Sequence, residues 1–136
     1  MTLKVELVVP DRELWAGEAG TVIAKTTEGD IGILTGHAPV FGILAEGSLV
    51  EILAPEGIED GEPVRAAVSG GFLSVANDLV SILAAQAQLG GDVDTTRARS
   101  DLEEALSSGV TSGSGGDEPA EAKYARAQLR AAGEQA

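Results

Sequence analysis

The stretch that decides the fold runs from Thr27 to Leu44 and reads TEGDIGILTGHAPVFGIL. It contains two short apolar segments, Ile31–Leu34 and Val40–Leu44, on either side of a tight polar corner. Because Pro39 fixes its own φ angle and disfavours helix at the residue before it, the corner is expected to be a rigid link between two strands. The glycines at positions 29, 32 and 36 are expected to take backbone angles that a side chain would forbid.

Strand patterns continue on both sides of this stretch. From Leu3 to Val9, apolar residues alternate with polar ones, which is typical of a half-buried strand. Glycine, proline, aspartate and asparagine separate the further strand segments, and Gly17 and Gly20 are expected to be such breaks. The segments are Glu13–Ala16, Thr21–Thr26, Leu49–Leu53, Val64–Val68, Phe72–Ala76 and Leu79–Ala84. The pattern predicts an antiparallel β-sandwich of about nine or ten short strands over residues 1–86.

The pattern becomes helical in residues 87–136, which are predicted to form a C-terminal α-helical hairpin. Its helices are expected over about 94–107 and 118–132, joined by a Gly/Ser linker at 107–116. The fold class is therefore mainly β with an α appendage. Because the apolar stripe of the second helix is mostly alanine, its docking on the sandwich is expected to be weak. The stripe consists of Ala120, Tyr124, Ala127 and Ala131.

The composition limits the classes of partner. The chain has 22 acidic and 9 basic residues and a formal net charge of −13, which disfavours binding to nucleic acid or to anionic lipid. There is no cysteine, so disulfides and thiolate metal sites are excluded. The start, MTLKVELVV, does not resemble a secretory signal, and no apolar run is long enough to span a bilayer. Direct membrane insertion is therefore not expected.

Signatures of enzyme chemistry are missing from the sequence. A single histidine, His37, cannot build a zinc site of the usual nitrogen and sulfur type without cysteine. Ser69 does not lie in a G-x-S-x-G elbow, and the Gly29–Gly36 segment is not followed by the Lys-Ser/Thr pair of a phosphate loop. We therefore expect a non-catalytic protein, in which His37 is a loop or interface residue.

Two motifs carry a family resemblance. The segment EGDIGILTGHAP, from Glu28 to Pro39, resembles E-G-x-x-G-I-x-P-G-H-A-P in the epsilon subunit of F-type ATP synthases. Thr35 stands where that family usually has proline. The segment VSGGFLSV, from Val68 to Val75, resembles the S-G-G-F-L-x-V strand pair of the same family. The resemblance covers roughly residues 3–98 well.

This resemblance implies a non-catalytic subunit of a bacterial-type enzyme complex. The expected partners are the gamma subunit, the c-ring and the alpha/beta catalytic hexamer. The subunit would couple the catalytic head to the c-ring in the central stalk of a proton-translocating complex, and its C-terminal helices would restrain ATP hydrolysis. The expected location is the cytoplasmic face of the plasma membrane, as a peripheral part of the complex. The alternative is a free-standing acidic β-sandwich that binds a ligand or a protein.

The resemblance also assigns residues to these partners. Glu28, Asp30 and His37 are expected on the c-ring side. Lys123, Arg126 and Arg130 lie within about 60° of arc on the second helix and are expected to form its inhibitory face. A solvated face that complements the negative end of the helix dipole is the other interpretation of these cations.

A regulatory nucleotide is the last expectation, although no cofactor is expected to be required. The segment VDTTRA, from Val93 to Ala98, resembles the I/L-D-x-x-R-A element of nucleotide-binding epsilon subunits, and RAQLR, from Arg126 to Arg130, resembles their R-A-x-x-R element. The resemblance implies a regulatory ATP site made of four residues, with the arginines on the phosphates. These residues are Asp94, Arg97, Arg126 and Arg130.

Overall fold

The computed structural model describes residues 2–54, 63–109 and 119–134. These residues form ten strands, a 3₁₀ turn and two α-helices. The strands are β1 (Leu3–Val9), β2 (Arg12–Ala19), β3 (Thr21–Thr26), β4 (Gly29–Leu34), β5 (Val40–Leu44), β6 (Ser48–Leu53), β7 (Val64–Val68), β8 (Gly71–Ala76), β9 (Leu79–Ala84) and β10 (Ala87–Leu89). The 3₁₀ turn is Gly90–Asp92, and the helices are α1 (Thr95–Gly109) and α2 (Ala120–Ala131).

The strands form one sheet that folds over into two layers. The strand order is β10-β7-β6-β3-β5-β8-β9-β1-β2, with β4 paired to β3. Strands β3 and β5 share a single residue pair, Thr26 with Leu44, and the sheet changes layer there. Strands β1 and β9 pair in parallel, whereas the other described pairs are antiparallel. The predicted β-sandwich with a helical appendage is confirmed.

The core lies between the inner faces of the two layers. In β1, Leu3, Val5 and Leu7 are buried, while Lys4 is exposed, as the alternation predicted. Fully buried residues from β4 and β9, such as Ile33 and Ile82, join the same apolar cluster. Burial of one such side chain contributes about 1.5–3 kcal/mol, so this core supplies most of the stability of the sandwich.

Three details of the strand predictions were wrong. Gly17 does not separate two strands but lies inside β2 opposite Val5, with the Trp15 ring packed over its Cα. Strand β10 follows residue 86 and pairs with β7, so the sheet continues to Leu89. Gly29 and Gly36 have positive φ angles, but Gly32 does not, because it pairs regularly with Ile23 inside β4.

In the hairpin, meaning α1 and α2 together, α2 packs on the outer face of β6 and β7, and α1 packs against α2. Helix α1 continues to Gly109, past the predicted start of the linker at 107, and the rest of the linker lies outside the described residues. The Asp94 carboxylate accepts the backbone N–H of Arg97 at 3.1 Å and caps α1. Pro119 precedes α2, where its missing N–H costs nothing.

The predicted apolar stripe of α2 is correct only in part. Ala127 and Ala131 are buried with Ala67 of β7, and Tyr124 packs beside them, but Ala120 is exposed. A second stripe is also buried on roughly the opposite side of the helix, because α1 covers that side. This second stripe consists of Ala122, Ala125 and Leu129.

Among residues 2–54, 63–109 and 119–134, neither helix is long and apolar enough to cross a membrane. The same residues bring together no group of three or more histidine, aspartate or glutamate side chains that could hold a metal ion.

Candidate functional site

The corner after β4 is held by a hydrogen bond from a distant turn. Gly36 has a φ of +80° and donates its backbone N–H to the Asp78 carboxylate at 2.7 Å. The His37 ring is half-buried, and its Nδ1 lies 2.7 Å from the Ala38 carbonyl oxygen. Because a carbonyl oxygen only accepts, Nδ1 carries the hydrogen in this contact. His37 therefore stabilises the corner by a local hydrogen bond.

The acidic loop lies at the other end of β4. Glu28 and Asp30 are exposed at the tip of the β3–β4 hairpin, which Thr26 closes with hydrogen bonds to Gly29 O (2.8 Å) and from Glu28 N (3.1 Å). Strand β4 separates this tip from the corner by roughly 17 Å. The structure therefore does not bring Glu28 and His37 together. The side chains along β4 that point outward between them are those of Asp30 and Leu34.

An exposed apolar row crosses the outer face of the second layer. Ile43, Phe72 and Leu83 are cross-strand neighbours on β5, β8 and β9, and they are 51%, 47% and 49% exposed. Phe41, which is 67% exposed, stacks on Phe72 with ring centroids 5.5 Å apart. The apolar row, as we call these four residues, is bordered by a polar row in which Ser81 Oγ donates to Glu6 Oε1 at 2.8 Å.

The apolar row is not among the surfaces expected from the sequence. A signal for it was present, because VFGIL in β5 and GFLSVA in β8 carry apolar residues at successive positions rather than at alternate ones. In a two-layer sandwich only one face of a strand is needed for the core. A strand that is apolar on both faces therefore indicates that its outer face is covered by a partner. The residues to examine are those that alternate with the core residues along the strand and point outward.

An open cavity of about 930 Å³ lies between the hairpin and the sandwich. Asp94 and Arg97 line it from the start of α1, and Tyr124 and Gln128 line it from α2. Burial raises the pKa of the Tyr124 hydroxyl above its ordinary value of 10.0. Further carboxylates in the lining are those of Asp101, Glu104 and Glu121.

The basic residues of α2 lie on a different flank of the helix. By the helical repeat of 100° per residue, Arg126 and Arg130 point away from the flank that carries Tyr124 and Gln128. Accordingly, neither arginine is among the described residues that line the cavity. Lys123 shares their flank, and its Nζ lies 3.9 Å from the Glu46 carboxylate of the β5–β6 turn. In this conformation the four residues named for ATP are divided between two sides of α2.

Comparison with known proteins agrees with the β-sandwich fold. Residues 2–90 match the family model described as "ATP synthase, Delta/Epsilon chain, beta-sandwich domain". The chain is 53% identical over 133 residues to the ATP synthase epsilon chain of Thermobifida fusca, a match that covers 96% of this chain and 91% of that one. It is 46% identical over 107 residues to the ATP synthase epsilon chain of Streptomyces avermitilis, and this match covers 79% of this chain and 82% of that one.

Solved structures share the fold. A chain in the Euglena gracilis mitochondrial ATP synthase aligns with a TM-score of 0.68 at 24% identity, covering 94% of this chain and 75% of that chain. A chain in the central stalk and c-ring structure of the Tetrahymena thermophila mitochondrial ATP synthase aligns with a TM-score of 0.57 at 17% identity, covering 97% and 91%. On the strength of the family model and the bacterial relatives, the chain belongs to the ATP synthase epsilon chain family.

Proposed function

We propose that this chain is a non-catalytic subunit of the central stalk of a proton-translocating F-type ATP synthase. It couples the catalytic head to the c-ring, and its C-terminal helices restrain ATP hydrolysis. The complex places the chain peripherally on the cytoplasmic face of the plasma membrane. The observation that carries the proposal is the apolar row on β5, β8 and β9, because a subunit held in a stalk needs a permanent apolar interface.

The gamma subunit is the proposed occupant of the apolar row. Each of its four side chains leaves roughly half of its area in water, so covering them would gain on the order of 1 kcal/mol per side chain. The stacked rings of Phe41 and Phe72 form the centre of such an interface, where aromatic anchors usually contribute most. The polar row with Ser81 and Glu6 would then fix the register of the two chains.

A matched pair of substitutions tests this assignment. Ile43→Lys places a charge in the apolar row, whereas Ile23→Lys makes the same change on the outer face of β3, in the other layer. We expect Ile43→Lys to abolish co-purification with gamma and to leave the isolated fold intact, because the side chain is exposed in the chain alone. Ile23→Lys should bind gamma normally. Equal binding by both variants would contradict the assignment.

The c-ring is proposed to contact the outer side of β4. Among the described strands β4 pairs only with β3, so no described strand covers the edge of β4 that faces away from β3. A ring contact that includes Glu28 and Asp30 at one end and His37 at the other would run along the outward side of β4, past Leu34. Loops of basic character on the ring would complement the two exposed carboxylates.

The hairpin is proposed to restrain hydrolysis when it leaves the sandwich. Release of α2 would separate Lys123 from Glu46 and free the flank that carries Arg126 and Arg130 to meet acidic surface on the catalytic hexamer. Complexes rebuilt with a chain that ends at Gly116 should therefore hydrolyse ATP modestly faster than complexes with the full chain, and synthesis should be unchanged. Equal hydrolysis rates would remove the inhibitory role.

ATP is proposed as a weak regulator of the hairpin. In this conformation the described cavity lining holds Arg97 and four carboxylates, which suits polyphosphate poorly. The position of the site can be tested by ATP titration of the isolated chain. Weaker binding in Arg97→Ala alone would place ATP in the cavity. Weaker binding in Arg126→Ala and Arg130→Ala would require a rearranged hairpin that brings the four named residues together. No effect in any of the three variants would remove the site.

A further inference from the structure

Helix α2 meets the sandwich at two glycines. One is Gly47 in the β5–β6 turn, and the other is Gly90 at the start of the 3₁₀ turn. The residues of α2 at these points are Lys123 and Ala131, eight positions apart along the chain, which corresponds to roughly 12 Å along the helix. The two glycines therefore lie near opposite ends of the docked helix.

At the first point no side chain fits between the turn and the helix. A Cβ on Gly47 would overlap the backbone carbonyl group and the Cβ of Lys123. Gly47 also has a φ of +56°, an angle that other residues adopt at a cost. A hydrogen bond holds the turn on the sandwich, because the Gly47 N–H donates to the Ser69 carbonyl oxygen at 3.3 Å. The turn and the helix backbone are therefore in direct contact.

The second point is equally close and has no unusual backbone angle. A Cβ on Gly90 would overlap the carbonyl oxygen of Ala131 and lie 3.4 Å from the Arg65 carbonyl oxygen. The obstructing atoms are backbone, which cannot rotate out of the way as a long side chain can. An alanine at position 90 therefore requires the C-terminal end of α2 to move away from the sandwich.

Small residues on the helix complete the fit between these points. Ala127 and Ala131 are buried against Ala67 of β7. Beside them Gln128 Nε2 donates to Gln88 Oε1 at 2.7 Å, which links α2 to β10. The small apolar area of alanine alone predicts weak docking. Alanine on the helix and glycine on the sandwich also allow the two backbones to approach closely, and the dispersion contacts that follow stabilise the docked helix.

We propose that Gly47 and Gly90 form a two-point docking site that holds α2 on the sandwich. A side chain at either glycine releases the helix while the sandwich stays folded. This property belongs to the isolated chain and does not depend on the proposed role in a rotary complex.

The test is hydrogen exchange of the full chain in four variants, which form two matched pairs. Gly90→Ala is compared with Gly91→Ala, since a Cβ on the adjacent Gly91 meets open space. Gly47→Ala is compared with Gly36→Ala, which also has a positive φ but meets nothing within 4 Å. The second pair separates backbone strain from the overlap with α2.

We expect exchange in peptides from 120–131 to accelerate roughly tenfold or more in Gly90→Ala and Gly47→Ala, as overpacking of this kind usually costs enough to do so. Peptides from β1 and β9 should exchange as in the parent chain. The control variants should leave exchange in α2 unchanged. Equal exchange in α2 for each variant and its control would overturn the proposal, and so would equal acceleration in β1, β9 and α2.

The single tyrosine of the chain gives an independent readout. Tyr124 packs beside the docking face, and its burial raises its pKa. In Gly90→Ala the titration of tyrosinate absorbance should move back towards the ordinary tyrosine value, and in Gly91→Ala it should not. An unchanged titration in Gly90→Ala would show that α2 stays docked and would contradict the proposal.

Discussion

The backbone N–H of Gly36 donates a hydrogen bond of 2.7 Å to the carboxylate of Asp78, 42 residues further along the chain. This bond ties the corner after β4 to the turn between β8 and β9. That turn has positive φ angles at both Asn77 and Asp78, and the Asp78 carbonyl oxygen also accepts the backbone N–H of Lys4. Asp78 therefore joins the β8–β9 turn to two other parts of the structure, β1 and the corner.

Removal of the Asp78 carboxylate should destabilise the sandwich. Asp78→Ala loses the acceptor for Gly36 and places alanine at a φ of 61°, so we expect a loss of about 1–2 kcal/mol in the free energy of unfolding. Asp78→Asn retains an acceptor oxygen and tolerates the same angle, so it should remain within about 0.5 kcal/mol of the parent. Denaturant unfolding measures both values. Equal stability of the two variants would show that the bond is dispensable.

The corner and the neighbouring strand should respond differently to the same substitution. Gly36→Val forces a β-branched residue to a φ of +80° and should cost about 1 kcal/mol or more, lowering the melting temperature. Gly32→Val adds a strand-forming residue in open space at an ordinary angle and should be neutral or stabilising. Thermal unfolding of both variants checks this, and a reversed order would contradict the assignment of the corner.

Docking of the hairpin should weaken at high pH because of Tyr124. Burial favours its neutral form, so the pKa in the docked state lies above the ordinary value of 10.0. The stabilisation is fully present below that value and is lost as the pH rises through the raised pKa. Hydrogen exchange of α2 should therefore accelerate in this range by more than the base-catalysed increase that all amides show, and Tyr124→Phe should remove this additional acceleration. A parent chain whose α2 exchange shows no added acceleration relative to Tyr124→Phe would contradict this explanation.

Charge reversal at the tip of the β3–β4 hairpin tests the ring surface. Glu28 and Asp30 are exposed, so their replacement by lysine should leave the isolated fold intact. Assembly on the c-ring should weaken, and the defect should depend on salt concentration because the contact is between exposed charges. The measurement is occupancy of the chain in purified complexes at low and high salt. Wild-type occupancy in both conditions would show that this face is wrongly assigned.

Most of the sandwich could be predicted because alternation in strands such as β1 reports directly on burial. The errors occurred where neighbours in space decide the outcome. Gly17 resembles a break in sequence, but the Trp15 ring covers it within a continuous strand. Strand β10 has only three residues, and its pairing with β7 provides the signal that its own short pattern lacks.

The surfaces were harder to predict than the strands. Glu28 and His37 are close in sequence, but β4 holds them at opposite ends. The sequence pattern predicts one buried face for α2, and the second face is buried because α1 packs against it. Arg97 and Arg126 belong to the two sequence elements that are expected to form one ATP site, but the docked conformation places them on different sides of α2. A sequence pattern predicts which face of a strand or helix packs in the core. Neighbouring elements and other chains determine whether its remaining faces are buried.

The most direct test of the central claim is photo-crosslinking from position 72 in the assembled complex. A benzophenone side chain in place of Phe72 lies within the apolar row, and the same group in place of Ile23 in the other layer is the control. Mass spectrometry then identifies the chain attached at each position. We predict that position 72 crosslinks to the gamma subunit in high yield and that position 23 does not. Attachment of position 72 to another chain, or a yield no higher than that at position 23, would contradict the account.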